Sequence, residues 1–175
     1  MRYILDERFF QIAVEFGATF TGTLFGFALA FWYDRYVKHK EELGIKIRIL
    51  EAIDLELELN LDSISKETYL DDVFFPILPF TRNALDSSIG GGDFSKLDSD
   101  IQKAISQSYM IFFEAENTKK KIFSLWEREH QEYLLTDEFK SDMGVLKSAI
   151  ETLMSEIPKL REALQNRIKI FRARY

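Results

Sequence analysis

The chain of 175 residues contains no cysteine. That excludes disulfides, zinc–thiolate sites, iron–sulfur clusters and cysteine nucleophiles. With 2 histidines, histidine metal centres and serine–histidine chemistry are almost excluded as well. The 3 prolines and 8 glycines are too few for repeated tight turns, so an all-β fold is disfavoured. An excess of positive charge is also missing. Lys and Arg number 23 against 29 Asp and Glu, a net charge of -6, so the chain as a whole is not a polyanion binder and direct DNA binding is not expected. What remains is a chain with 46% hydrophobic and 30% charged residues and a mean hydropathy of -0.16. It is neither disordered nor a polytopic membrane protein. Its length fits one domain, or one domain with an appendage.

The strongest local signal is the run Phe9 to Tyr33, whose one charged residue is Glu15. Twenty-five residues make about 37 Å of helix, enough to cross a hydrocarbon core of about 30 Å with some tilt. Phe31, Trp32 and Tyr33 form an aromatic belt, and Arg35, Lys38 and Lys40 follow at once. The positive-inside rule then predicts a single-pass protein of the cell membrane with its C-terminal part in the cytoplasm. Two alternatives compete. One is a cleaved signal peptide, since Ala28-Leu29-Ala30 resembles a cleavage site, but the apolar run is long and its flank carries as many acids as bases. The other is a core helix of a soluble protein, although a helix apolar on all sides needs a larger core than this chain supplies.

Within the run, Ala18, Gly22, Gly26 and Ala30 recur every four residues, a small-residue ridge of the kind that lets helices approach in lipid. Glu15, Thr19 and Thr23 lie beside it, and Phe16, Phe20, Leu24, Phe27 and Phe31 form a separate bulky stripe. One helix cannot bury the ridge alone, so homo-oligomerisation is expected. Glu15 is the ionisable group within the run: a functional candidate, or a group that reaches the outer headgroups.

Beyond the span, Leu43, Leu50, Leu57 and Ile64 repeat every seven residues with Ile47, Ile53 and Leu61 between them, a coiled-coil-like seam. The predicted fold is all-α: a transmembrane helix over 1–35 continuing into a cytoplasmic helical bundle over 36–175. The bundle comprises a stalk helix (36–66), an acidic connector (67–98) and long helices over about 99–135 and 137–172. In the connector, Thr81 is expected to cap a short helix from Arg82 to Ile89 with Gly90 as its stop, and the Gly90-Gly91-Gly92 run to be a hinge. Phe74, Phe75, Ile77, Leu78 and Phe80 are too apolar for a solvated loop, so they are expected to cover the bundle or touch the bilayer. The third helix should bury Ile101, Ile105, Phe112, Ala115, Ile122 and Trp126. The fourth should bury the stripe Phe139, Met143, Leu146, Ile150, Leu153, Ile157, Leu160, Leu164, Ile168 and Phe171, with a kink at Pro158.

No catalytic constellation emerges, and neither an enzyme nor a cofactor is expected. Glu127-x-x-His130 is half of a di-iron carboxylate motif, but the second Glu-x-x-His is missing. Arg35-x-x-x-His39 falls one residue short of a helical-ribonuclease signature, and the glycine run lacks the Lys-Ser/Thr of a phosphate loop. Two basic groups stand out in an acidic chain. Lys119, Lys120 and Lys121 follow Asn117 and Thr118, and Arg167, Lys169, Arg172 and Arg174 fall in a stretch without acids. Both are candidate anion sites, against the simpler reading of a solvated face and a favourable helix C-terminus. The second stretch also suits an amphipathic membrane-surface segment. Asn60 and Asn117, mid-helix among apolar residues, are expected to join Tyr109 in an interhelical hydrogen-bond set that fixes register.

The ridge at Ala18, Gly22, Gly26 and Ala30, followed by the bundle after Asp34, resembles the small N-terminally anchored membrane effectors of prokaryotic antiviral systems. Examples are the cyclic-oligoadenylate-activated ancillary proteins of type III CRISPR loci and the membrane proteins paired with short Argonautes. The resemblance is one of layout. It implies a homo-oligomer that senses an anionic ligand, such as a cyclic oligonucleotide, or a protein partner, and then permeabilises the lipid bilayer. It carries no ligand-binding residue onto a numbered position here. The alternative is a membrane-tethered helical scaffold without permeation.

Overall fold

A computed structural model describes residues 2–65, 67–70, 73–76, 80–129 and 136–175. The fold is helical. Helix α1 (Arg2–Ser65) is followed by a short hairpin of β1 (Glu67–Leu70) and β2 (Val73–Pro76), then α2 (Asn83–Gly90), a 3-10 turn (Asp93–Lys96), α3 (Ser99–Glu129) and α4 (Asp137–Arg174). By contacts the chain divides into two compact units, Met1–Glu42 and Leu43–Tyr175.

The first unit is helix alone. From Phe9 to Tyr36 every described side chain is exposed, and the stretch is apolar enough to cross a membrane. Length and composition alone make it a candidate span. Stacking within the helix pairs Phe16 with Phe20 (6.4 Å) and Trp32 with Tyr36 (5.8 Å between ring centroids).

The second unit is a bundle of three long helical segments with α2 against it. The seven-residue seam is its base: Leu43, Leu50, Ile53, Leu57 and Ile64 are buried, and Ile47 and Leu61 pack partly covered beside them. Helix α3 contributes Ile101, Ile105, Phe112, Ala115 and Ile122, with Trp126 partly covered. Helix α4 buries Phe139, Leu146, Leu153, Ile157, Leu160, Leu164, Ile168 and Phe171 of the predicted stripe, whereas Met143 and Ile150 are only partly covered at its edge. The ion pairs fix direction. Glu51 pairs with Arg172, whereas Asp54 and Glu58 pair with Arg161, so α4 runs antiparallel to α1. Asp100 pairs with Arg167 and Asp142 with Lys121, so α3 and α4 are antiparallel too. Thr136 starts α4 by accepting a hydrogen bond from Phe139 N (3.1 Å), and the helix runs through Pro158 without ending there.

The connector departs most from expectation. Its first part forms an antiparallel hairpin with Thr68 opposite Phe75 and Tyr69 opposite Phe74. The side chains of 67–70 and 73–76, residues 77–79, and the predicted end of α3 over 130–135 lie outside the described residues. Phe80 is buried and meets Phe112 edge-on at 4.5 Å, so this connector aromatic covers the bundle. Thr81 does not cap α2; Arg82 occupies the cap position without a side-chain hydrogen bond. Gly90, the expected stop, is the last residue of α2, and the cap falls at Gly91: Gly91 N bonds Ser87 O, Gly92 N bonds Ile89 O, and Gly92 adopts φ 74°, which glycine enters without steric cost.

Candidate functional site

Two groups of candidate residues lie in different units, and a third group, of which sequence reasoning named Asn60 and Tyr109 but missed Glu56, lies in the bundle interior.

On the apolar helix, Ala18, Gly22, Gly26 and Ala30 form an open ridge. A Cβ added at Gly22 or Gly26 would meet no atom within 4 Å. Among the described residues no atom needs that smallness. Thr19 donates its hydroxyl to Glu15 O (2.8 Å) and Thr23 to Thr19 O (2.8 Å). These i−4 bonds keep the hydroxyl protons satisfied within the helix, and each oxygen retains accepting capacity. Glu15 is exposed beside them.

The lysine cluster does not converge on one pocket. Lys120 pairs with Glu116 at 2.7 Å. Lys121 bridges to α4, reaching Asp142 at 2.8 Å and Glu138 at 3.0 Å, and those hydrogen bonds, Asp142 first, hold its ammonium above the ordinary lysine value. Lys119 lies against the Phe123 ring (5.5 Å), and partial burial pulls its ammonium down against the pull of Glu116. The second basic stretch divides in the same way. Arg167 pairs with Asp98 (3.3 Å) and Asp100 (3.1 Å), and Arg172 pairs with Glu51 (2.5 Å). Lys169 and Arg174 are exposed and have no acidic partner among the described residues.

The bundle interior holds a polar hub. Glu56, 5% exposed, accepts from Ala84 N at 2.7 Å and from the Tyr109 hydroxyl. A carboxylate of α1 thus does the capping work at the start of α2 that Thr81 was expected to do. Burial, followed by the hydrogen bond to Glu56, pushes the Tyr109 phenol well above its ordinary value. Asn60, 1% exposed, holds Thr81 through its main-chain N–H and C=O. Asn117, expected in this set, is exposed on α3; Tyr109 partners Glu56 instead. The sequence did carry a signal for Glu56: it lies three residues after Ile53 and four before Asn60, on the buried face.

A shallow groove of about 580 Å³ lies between α3 and α4, lined by Ala104, Met110, Ile111, Glu156, Lys159 and Leu160 among others. Among the described residues no cluster of His, Asp and Glu is arranged to hold a metal ion. Glu127 is exposed and His130 lies outside the described residues. No protein family matches the chain, nor does any curated protein or solved structure.

Proposed function

We propose that the chain is a non-enzymatic, homo-oligomeric membrane effector. Phe9–Tyr33 crosses the cell membrane once, with the bundle in the cytoplasm, and several copies associate along Ala18, Gly22, Gly26 and Ala30. A signal received by the bundle, an anionic ligand such as a cyclic oligonucleotide or a protein partner, rearranges the clustered spans and makes the bilayer leaky. Glu15, Thr19 and Thr23 line or gate the path. Defence against infecting nucleic acid is the setting in which such a device makes sense.

The observation that carries this reading is the complete exposure of a long apolar helix whose glycines have empty space in front of them. Large exposed apolar surface calls for lipid or a partner, and open small-residue ridges suit helix association in lipid. Helix α1 belongs to both units, which provides a covalent route from signal to span. The test is induced expression in cells carrying the trigger, read as membrane depolarisation. Wild type depolarises, and a chain whose span is replaced by an unrelated single-pass anchor does not.

One observation favours the scaffold reading. Lys120, Lys121, Arg167 and Arg172 are already engaged by acids of the same chain, so an anionic signal must compete with them. A scaffold keeps its activity after the span is swapped, which separates the two.

A further inference from the structure

We infer that the last two turns of α4 dock on an anionic bilayer surface, with Lys169 and Arg174 taking lipid headgroups and Ile170 entering the interface between them. The inference rests on the proposed reading of Phe9–Tyr33 as a span and assigns these cations to lipid rather than to the signal.

Asn166, Lys169, Ile170, Ala173 and Arg174 recur at three- and four-residue steps and are all exposed, opposite the buried Leu164, Ile168 and Phe171. The four basic residues of this stretch fall into two kinds. Arg167 and Arg172, flanking the stripe, are held by Asp98, Asp100 and Glu51. Lys169 and Arg174, on the stripe, have no acid partner among the described residues, and the nearest acid before them in sequence is Glu162, about 10 Å along the helix from Lys169. A favourable helix C-terminus accounts for cations here. It does not account for Ile170 standing 44% exposed between them. An apolar side chain flanked by free cations on one helix face is the pattern of a segment lying in a membrane interface.

The shape argues for a surface rather than a small anion. Lys169 and Arg174 are about 7 Å apart along the axis and neither lines the groove between α3 and α4, so they are not gathered around one phosphate. Chain length supplies the remaining constraint. Tyr175 packs beside Gly44, its ring 3.5 Å from where a Cβ there would sit. Gly44 is eleven residues beyond Tyr33, and eleven residues reach no more than about 40 Å. A span ending at Tyr33 therefore keeps Gly44, and Tyr175 beside it, within about 40 Å of the bilayer surface.

The absence of native cysteine makes the test clean. The full chain carrying Ile170→Cys, labelled with a polarity-sensitive fluorophore, is reconstituted in vesicles of phosphatidylcholine alone and of phosphatidylcholine with phosphatidylglycerol. The expected result is a blue shift and gain in emission in the anionic vesicles only, reversed at ~1 M salt, where the Debye length falls to about 3 Å. Lys169→Gln and Arg174→Gln each lower the docked-to-undocked ratio about fivefold, and a label at Val145→Cys does not respond. Equal emission in both compositions while the chain floats with the vesicles overturns the docking and leaves the span intact. Suppression of the signal by inorganic phosphate alone, at constant ionic strength, overturns it in favour of a small-anion site. Failure of the chain to float with either vesicle overturns the span reading and this inference together.

Discussion

Asn60 pairs with the main chain of Thr81 as a neighbouring strand would: Asn60 Nδ2 donates to Thr81 O at 2.9 Å, and Thr81 N donates to Asn60 Oδ1 at 2.8 Å. A single buried side chain of α1 therefore fixes where the chain re-enters the bundle. Phe80 on one side of Thr81 is buried, and Ala84 on the other is held by Glu56, one turn earlier on α1. Together these two residues dock the connector onto the long helix.

Asn60→Ala removes both main-chain bonds at once, together with the bond that the Thr81 hydroxyl donates to Asn60 Oδ1 (3.2 Å). We expect a loss of about 1–3 kcal/mol, the cost of leaving buried polar groups unpaired. Asn117→Ala, on an exposed position, should stay within about 0.5 kcal/mol of wild type. Urea unfolding followed by far-ultraviolet circular dichroism measures both. Equal losses would show that the Asn60 pairing does not stabilise the fold.

Tyr109 predicts an alkaline weakness. Its folded-state pKa is raised above the ordinary 10.0, so above that pH the unfolded chain releases a proton that the folded chain keeps. The unfolded state then binds fewer protons, and stability falls as pH rises. The contribution is fully present below pH 10.0 and declines above it, by at most about 1.4 kcal/mol per pH unit. Tyr109→Phe removes that slope and costs about 1–3 kcal/mol at neutral pH, because Glu56 loses a buried donor. Lys121 adds to the same alkaline loss, since Asp142 and Glu138 raise its folded value, so wild type and variant are compared across the pH series. Parallel curves would remove Tyr109 from the account.

How far the sequence could be read follows from these residues. The burial of Leu43, Leu50, Leu57 and Ile64 was legible because hydrophobic spacing reports directly on a helix face. The stripe on α4 was legible for the same reason. The hub was not. Periodicity treats Glu56 as polar, and only its partners, Ala84 and Tyr109, make its burial affordable; both are distant in sequence. Thr81 looked like a cap by residue type, but Asn60 holds its main chain. The hairpin at 67–76 carries β-prone residues, Thr68, Tyr69, Val73, Phe74 and Phe75, yet two four-residue strands are weak in isolation, and the surrounding helical pattern dominated. Of the candidate site residues, the ridge was visible as spacing. The pairing of the cations was not, because sequence shows charge but not its neighbours.

Arg161 bridges Asp54 (2.8 Å) and Glu58 (2.9 Å) and is largely shielded from solvent. Arg161→Ala is expected to cost about 1 kcal/mol, at the upper end for ion pairs near a surface, and the cost should shrink in high salt. Lys159→Ala, whose partner Glu156 is on the same exposed face, should have no measurable effect on the urea midpoint. A large loss from Lys159→Ala would show that exposed pairs matter here more than the account allows.

Gly22 and Gly26 separate packing within the chain from packing between chains. An added Cβ meets nothing within 4 Å at either position, nor at Gly17, and replacing glycine in a helix favours the helix by about 1 kcal/mol. Gly22→Leu and Gly26→Leu should therefore leave the helix intact. They should reduce the detergent-solubilised protein to smaller species by light scattering, whereas Gly17→Leu, off the ridge, should leave its size unchanged. Equal behaviour of all three variants would dissociate the ridge from assembly.

The central claim is that the spans of several copies assemble along that ridge and open the bilayer on a signal. The direct measurement is dye release from liposomes containing the purified chain, sized beforehand in detergent, with and without cyclic oligoadenylates. The account predicts a defined oligomer, release that depends on the added nucleotide, and loss of both in Gly22→Leu. A monomer, or an oligomer that releases no dye with the trigger present, would contradict it.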